Sequence, residues 1–387
     1  MLFIHNTVSL CDHCYRHVPA VVYEHDNKIL MKKRCPKHGD IDSVVEIDTE
    51  FYYGLKHQKT HDFLVHGVLF EASDRCQLDC PHCYHLPDNK SQDRSLKEII
   101  YQLRQFPKDC IPMLAGAEAT LRPDFVELCA KIDKLGFRWF EVLTNGLRFA
   151  DMDFATDCFN AGLRLVNFGL NHPSYQGEKV HAKQLRALDN IIKAGTAVGY
   201  VGYTIEDYDH LPFILDEIKS INHEKIRHYR IRCGSFIGRS SDQQRGYLSV
   251  LVQKIKEHLG SEVVSFYAPD DNPYHVLLKW NNILLRVIQW PDVTNIDMEE
   301  LNTGPWCQFY DGPITNFVHQ VVTRDAYKNK GMPKLDLPPV KYQYQPYKEK
   351  THWKHNWTGP VPFDSFEFEW PSDQPQPVKP HFPIHSQ

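Results

Sequence analysis

Three cysteines crowded into one short loop, Cys76-x3-Cys80-x2-Cys83, constrain this chain more than any other feature. A mostly apolar run, Val65 to Ala72, precedes them and predicts a strand that leads directly into the loop. Three thiolates can hold three corners of a cubane iron–sulfur cluster, which usually has four cysteine ligands, and so leave one iron open to a small molecule. The alternatives are a chance grouping of cysteines and a structural zinc loop with a fourth ligand nearby. Two histidines are near enough in sequence to supply it: His82 and His85.

Composition limits the class of protein. The chain has 387 residues and is 42% hydrophobic, which suits one large globular domain with attachments. The net charge of -5 argues against a general affinity for nucleic acid or membrane surfaces. No apolar run approaches the ~20 residues of a membrane span, and the N-terminus lacks a signal-peptide pattern. Six of the eleven cysteines have ligand-like spacings, so we expect a reducing, cytoplasmic location.

A small metal-binding module is expected in residues 1–50. The spacings Cys11-x2-Cys14 and Cys35-x2-His38 each present two donors on a tight turn, and a tetrahedral site needs four. This arrangement predicts a rubredoxin- or zinc-ribbon-like fold. Three cysteines and one histidine favour zinc, with iron as the alternative. Metal-free, reduced cysteines are also compatible with the pattern. Because so small a module buries little core, a metal would supply much of its folding energy.

From residue 65 onward, short apolar runs alternate with amphipathic runs, which is the pattern of βα units around a parallel sheet. Residues 51–64 lie before this region and read as a linker. We expect six βα units. The predicted strands lie near 65–73, 112–117, 139–144, 163–170, 197–205 and 228–237, and the predicted helices near 94–106, 123–135, 153–161, 182–194, 211–221 and 245–259.

The cysteine triad resembles the signature of the radical S-adenosylmethionine (radical SAM) superfamily. The resemblance implies a [4Fe–4S] cluster on Cys76, Cys80 and Cys83, whose open iron chelates the methionine part of SAM. Reductive cleavage of SAM would then give methionine and a 5′-deoxyadenosyl radical. The resemblance also implies an α/β fold, with a partial (β/α)6 TIM-like barrel over residues 65–262. Its active site would lie at the C-terminal ends of the strands. His82, just before the last cysteine, would lie near the adenine.

A second part of the resemblance follows the second predicted strand. Gly116-Ala117-Glu118 is similar to the family's Gly-Gly-Glu-Pro element, whose backbone and acid hold the SAM amino group. The sequence departs from that element at Ala117 and Ala119. An ordinary strand-to-helix turn is the alternative interpretation.

Polar residues at the ends of later strands complete the expected site. Thr144 and Asn145 follow the third strand and could bind SAM or cap the local turn. Asn171 follows the fourth strand, where the family often has a polar contact to the ribose or carboxylate. Arg232, on the sixth strand, could reach the SAM carboxylate or a substrate anion as a bidentate donor.

The C-terminal third is harder to interpret. Residues 263–333 alternate like strands at first and predict a β-rich extension or lid, with a hairpin turn at Asn281-Asn282. Cys307 could donate a hydrogen atom or proton to a substrate radical, or it could be a buried thiol. Residues 334–387 are rich in proline and aromatic residues and predict an irregular tail.

The expected function is that of a radical SAM enzyme acting on an unidentified small-molecule or peptide substrate. Methylation, carbon–carbon coupling, rearrangement and oxidation all remain open. The reductant would be a protein such as flavodoxin or ferredoxin, and no nucleic-acid partner is expected. Similar N-terminal knuckles occur in a branch of the superfamily that includes archaeal lipid-chain-coupling and pterin-methylating enzymes. Two alternatives remain: an atypical enzyme that transfers an aminocarboxypropyl group from SAM, and a non-enzymatic zinc protein.

Overall fold

A computed structural model describes most of the first three quarters of the chain and two short strands near its end. The described residues are 1–14, 17–57, 67–83, 85, 87–104, 108, 111–137, 139–233, 246–260, 263–267, 275–289, 297, 342–346 and 351–355.

The N-terminal module is a four-stranded antiparallel sheet followed by a helix. Its strands pair in sequence order, and Asp26-Asn27 between the second and third has positive φ at both residues, as a type I′ hairpin turn requires. The buried residues Ala20, Val22, Ile29, Met31 and Tyr52 form a small core. The elements are β1 (Leu2–Leu10), β2 (His17–His25), β3 (Lys28–Cys35), β4 (Gly39–Glu46) and α1 (Thr49–His57).

Six parallel strands with intervening helices form the centre of the molecule, which confirms the predicted α/β fold. The strands lie side by side in sequence order, β5-β6-β7-β8-β9-β10. They are β5 (Gly67–Ser73), β6 (Ile111–Gly116), β7 (Glu141–Thr144), β8 (Leu165–Gly169), β9 (Ala197–Ile205) and β10 (Ile226–Cys233). The helices are α2 (Leu96–Leu103), α3 (Phe125–Asp133), α4 (Met152–Asn160), α5 (Glu178–Ala194), α6 (Leu211–Ile221) and α7 (Leu248–Leu259).

A C-terminal β extension continues this sheet beyond β10, as expected from the alternating pattern. Strand β13 pairs parallel to β10, and β12 pairs antiparallel to β13 through the turn at Asn281, which has a φ of 52°. The six parallel strands and the three added strands therefore form one nine-stranded sheet. The added strands are β11 (Val263–Tyr267), β12 (His275–Trp280) and β13 (Ile283–Ile288). A separate antiparallel pair consists of β14 (Tyr342–Pro346) and β15 (Thr351–His355).

The main core lies between the parallel strands and their helices. On β10, for example, Tyr229 and Ile231 are buried in this core, so the residues between them face the opposite side of the sheet. The N-terminal module contacts the larger unit through Glu46, whose Oε1 accepts a hydrogen bond of 2.6 Å from Ser249 Oγ. In the described part of the chain, we find no helix with the length and apolar character to cross a membrane.

Candidate active site at the C-terminal ends of the parallel strands

The three-cysteine loop follows β5 directly, at the C-terminal edge of the sheet. A tight turn brings the Cys83 N–H to within 3.2 Å of the Cys80 carbonyl oxygen. The side chains of Cys76, Cys80 and Cys83 are all half-buried, and none of the three forms a disulfide. Cys80 and Cys83 line a cleft of about 230 Å³ that opens at this edge.

Cys76 is held by the end of β7, two strands away in the sheet, as well as by its own loop. Its Sγ accepts a hydrogen bond from the Leu78 N–H at 3.4 Å and another from Asn145 Nδ2 at 3.7 Å. Burial raises the pKa of the Cys76 thiol to about 11, and the negative charges of Glu118 and Cys83 act in the same direction. A metal ion bound to this sulfur would offset that cost by stabilising the thiolate.

The loop fits a cluster better than it fits a single zinc ion. One ion draws all of its ligand atoms together, whereas each cysteine of a cubane binds a different iron. A single ion needs ligand atoms that lie close together. Among the described residues, only one group of Cys, His, Asp or Glu side chains meets this requirement, and it lies in the N-terminal module. His85, which could have supplied a fourth zinc ligand, instead has its Nε2 2.7 Å from Asp74 Oδ1.

Glu118 is fully buried, and its carboxylate joins the ends of β6 and β7. Its Oε1 accepts hydrogen bonds from the Thr144 hydroxyl at 2.7 Å and from the Thr120 N–H at 3.1 Å. Its Oε2 accepts from the Asn145 N–H at 2.7 Å. Burial raises the pKa of Glu118, while these donors oppose the shift. The carboxylate thus holds Thr144 and Asn145 in place, and the neighbouring backbone at Gly116 and Ala117 faces the cleft.

The backbone conformation explains why position 116 is a glycine and position 117 is an alanine. Gly116 has a φ of 110°, in the region that favours glycine, whereas Ala117 is not among the described residues with positive φ. The departure from a second glycine therefore causes no backbone strain. Ala117 N–H donates to the Ser73 carbonyl oxygen at 2.8 Å, which ties the β6 end to the β5 end.

Two further predicted residues meet across the ends of β8, β9 and β10. Asn171 Oδ1 accepts a hydrogen bond from the Thr204 N–H at 3.0 Å, and Arg232 Nε donates to Thr204 Oγ1 at 2.8 Å. All three residues line the cleft.

His82 lies on the cleft wall between two of the loop cysteines and is only 4% exposed. Its ring packs edge-on against Tyr175, with ring centres 5.1 Å apart. Burial, together with the positive charge of Arg232, lowers the pKa of His82 to about 3. His82 is therefore a neutral aromatic ring on the cleft wall.

The cleft also contains residues that the motif analysis missed. Gln184 is buried, and its Nε2 donates to the carbonyl oxygens of Asn145 and Gly169 at 2.9 and 3.0 Å, joining the ends of β7 and β8. The alternation of polar residues along β10 was a signal for one of the others, Arg230, because residues two apart share a strand face. The remaining missed residues that line the cleft include Asn167, Tyr200 and Arg286. Cys307 lies outside the described residues.

The four predicted metal ligands of the N-terminal module come together at the ends of their strands. Cys11 Sγ lies 3.3 Å from His38 Nδ1, and Cys14 Sγ lies 3.9 Å from Cys35 Sγ. All four ligand atoms lie within 4.8 Å of one another, and the three cysteines are buried. This donor set and spacing suit one tetrahedral metal ion.

Comparison with known families matches both units of the chain. Residues 3–47 match the HMPTM N-terminal zinc ribbon domain, and residues 70–231 match the radical SAM superfamily. The radical SAM match at residues 70–231 implies an iron–sulfur cluster and SAM as cofactors, and the zinc ribbon match suggests a metal site.

Two curated relatives are similar over about half of this chain. The 7,8-dihydro-6-hydroxymethylpterin dimethyltransferase of Methanocaldococcus jannaschii is 25% identical, over 49% of this chain and 44% of its own length. The Fe-coproporphyrin III synthase of Methanosarcina barkeri is 27% identical, over 47% of each chain. The chain thus spans less than half the length of either relative.

Solved structures that are similar to this chain include Streptococcus suis SuiB bound to the precursor peptide SuiA. That structure has a TM-score of 0.41 and 14% identity, over 50% of this chain and 45% of the other. Methylornithine synthase also has a TM-score of 0.41, with 13% identity over 53% of this chain and 67% of the other. By its family matches, the chain carries a radical SAM superfamily domain at residues 70–231, preceded by an N-terminal zinc ribbon.

Proposed function

We propose that this protein is an enzyme that cleaves SAM reductively in the cleft at the C-terminal ends of its parallel strands. The observation that carries the proposal is that the cysteine loop, the β6 end and the β7 end meet around one cleft, with Cys80, Gly116 and Asn145 all on its wall. When bound, a [4Fe–4S] cluster with an open iron supplies the electron that splits SAM into methionine and a 5′-deoxyadenosyl radical, which then abstracts hydrogen from a substrate.

The chain's own residues would hold and orient these groups. Cys76, Cys80 and Cys83 would be the cluster ligands, and the backbone at Gly116 and Ala117 would receive the amino group of SAM. Glu118 would act through its hydrogen bonds to the neighbouring strand end, because its carboxylate is buried and already engaged by four donor groups.

A flat part of the wall suits the adenosine of SAM. Gly169 and Gly202 are paired directly across β8 and β9, and both line the cleft. Without side chains, these two residues form a strip of backbone in the cleft wall, which the Tyr200 ring covers in part at Gly202. Asn171 and Arg232 border the strip and offer an amide and a guanidinium to the ribose or the carboxylate, and His82 offers a neutral ring to the adenine.

The N-terminal module would bind a structural zinc ion through Cys11, Cys14, Cys35 and His38. Its buried thiols and closed four-donor set leave no ligand position for a substrate. The ribbon then supports the larger unit through the Glu46–Ser249 contact rather than taking part in the chemistry.

The proposal is tested by reconstituting the full-length protein with iron and sulfide under anaerobic conditions. We expect brown protein with about four irons per chain, and a change in the electron paramagnetic resonance spectrum of the reduced cluster when SAM is added. A protein that stays colourless and binds only zinc would reject the enzyme in favour of a zinc-binding protein. Cys158→Ala, in helix α4, is the matched control for Cys80→Ala: the first should keep the cluster and the second should lose it.

A further inference from the structure

The wall of the cleft that β10 and β13 form is strongly basic. Three arginines line it, and the described lining residues include neither aspartate nor glutamate. Two of the arginines, Arg230 and Arg232, lie two residues apart on β10 and therefore share one face of that strand. The third, Arg286, lies on β13, which belongs to the C-terminal extension.

Arg230 and Arg286 are direct neighbours across two parallel strands. The register pairs Arg230 with Arg286, and paired positions in adjacent strands are about 4.8 Å apart. Like charges opposite one another destabilise a sheet, and in a partly buried wall water screens them less. The register thus places two arginines on adjacent strands of the cleft wall, and an anion bound between them would offset the repulsion of their charges.

The side chain of Arg230 is held in place by stacking on an aromatic ring rather than by hydrogen bonds. Its guanidinium carbon lies 4.1 Å above the ring of Tyr200, and its buried Nε has no hydrogen-bond partner among the described residues. Gly202, paired with Arg230 on β9, makes room for this stack, since a Cβ there would lie 3.2 Å from the Tyr200 ring. A stacked guanidinium with free N–H groups is prepared to bind a carboxylate or phosphate through two hydrogen bonds.

A nearby histidine is affected by the same positive charges. His228 lies two residues before Arg230 on β10, and its buried Nε2 has no hydrogen-bond partner in the described structure. Burial lowers the pKa of His228 well below its usual range, and the charges of Arg286, Arg230 and Arg227 lower it further. One buried acid, Glu141, accepts a hydrogen bond from Asn167 Nδ2 at 2.7 Å. Burial raises the pKa of Glu141, while the positive charges of Arg227 and Arg230 act to lower it.

Building on the proposed cleavage of SAM, we propose that the substrate is an anionic small molecule whose phosphate or carboxylate group is bound between Arg230 and Arg286. The two arginines lie on the wall that also carries the Gly169–Gly202 strip. A substrate anchored there by its anion would present its remaining atoms toward the cluster loop. The wall therefore assigns a chemical class to the substrate and a binding role to Arg230 and Arg286.

The test is calorimetric titration of the full-length, reconstituted protein, saturated with SAM, with inorganic diphosphate in one series and citrate in another. We expect one anion to bind at one site per chain, and the better of the two identifies the group as phosphate or carboxylate. Arg230→Gln and Arg286→Gln should each weaken that binding about tenfold or more, because one charge-assisted pair is lost. Arg227→Gln is the matched control: it lies on the same strand but is exposed, and its affinity should stay within about twofold of wild type.

The inference is overturned if neither anion binds, or if Arg230→Gln and Arg227→Gln bind the anion with equal affinity. It is also overturned if SAM and the anion displace one another, because the arginines would then bind the SAM carboxylate. Arg230→Lys keeps the charge without the planar fork and should lose affinity severalfold, so it serves if the glutamine variant does not fold. Cleavage of SAM by the wild-type protein is measured separately. Anion binding without cleavage rejects the proposed function alone, and cleavage without anion binding rejects this inference alone.

Discussion

Asn145 Nδ2 lies 3.7 Å from Cys76 Sγ, so the end of the third parallel strand touches the cysteine loop that follows the first. The orientation of the amide is fixed, because its Oδ1 accepts a hydrogen bond from the Leu147 N–H at 3.1 Å. The N–H group therefore points toward the sulfur. Hydrogen bonds to cluster sulfurs are among the features that set a cluster's reduction potential.

We predict that Asn145→Ala makes the reduction potential of the bound cluster more negative, because the thiolate of Cys76 loses a donor that stabilises the extra electron. Redox titration followed by electron paramagnetic resonance measures the shift. Gln77→Ala is the control, since Gln77 contacts the Asn145 amide at 3.3 Å but is not the donor to Cys76. Equal potentials in wild type and Asn145→Ala would show that the amide does not act on the cluster.

Gly146→Ala should strongly destabilise the protein. Gly146 has a φ of 79°, and a Cβ there would lie 2.1 Å from the Phe168 ring. The left-handed conformation alone costs a residue with a side chain roughly 1–2 kcal/mol, and displacing a buried ring adds to this. Gly136→Ala isolates the first effect, because Gly136 has a φ of 80° and nothing within 4 Å of its Cβ position. Chemical unfolding should give a clearly larger loss for Gly146→Ala, and equal losses would contradict the overlap.

Stability should depend on pH through His181. Its Nε2 lies 2.6 Å from Glu217 Oε1, and its Nδ1 lies 3.1 Å from the Asn171 carbonyl oxygen. Burial lowers the pKa of His181, but the contacts with Glu217 outweigh burial and raise it overall above 6.5. A raised pKa in the folded state means that the protonated form is stabilised. Its contribution is complete below pH 6.5 and is lost as the pH rises through the folded pKa.

The measurement is the free energy of unfolding as a function of pH. In the wild type, the part due to His181 should decline above pH 6.5, and His181→Gln should lack this part. His172→Gln is the control and should retain the decline, because the pKa of His172 is lowered by burial and by neighbouring histidines. A decline of the same size in His181→Gln would assign it to other groups.

Removal of the N-terminal metal should destabilise the ribbon and leave the iron of the cluster loop in place. We predict that Cys14→Ser lowers the zinc content to well below one ion per chain and leaves the iron content at about four. His13→Ala is the matched control, because His13 is exposed and lies outside the converging set of four donors. Elemental analysis of both variants is sufficient. Loss of iron together with zinc would mean that the two sites depend on each other.

The α/β fold was predictable because its strands and helices have clear hydrophobic periods and short connections. Strand β9 begins and ends where the sequence predicts, at Ala197 and Ile205, and helix α6 at Leu211 and Ile221. The cysteine spacings were also readable, since local motifs bring ligands together without help from the rest of the fold.

The cleft was less predictable because it depends on register between distant strands. Nothing near Arg230 in the sequence indicates that Arg286 lies beside it, since a helix and two strands separate them along the chain. Likewise, Glu118 matches a motif whose acid is expected at the cofactor, but its depth and its hydrogen bonds to Thr144 and Asn145 follow from how β6 and β7 end together. Strand ends that meet only in three dimensions leave no local pattern.

The most direct test of reductive SAM cleavage is chromatography of the SAM fragments formed by the reconstituted, full-length protein with dithionite under anaerobic conditions. We predict 5′-deoxyadenosine and methionine from the wild type, neither from Cys80→Ala, and both from Cys158→Ala. Methylthioadenosine in place of 5′-deoxyadenosine would contradict the proposed cleavage and indicate aminocarboxypropyl transfer. Intact SAM with a fully loaded cluster would contradict the proposed function altogether.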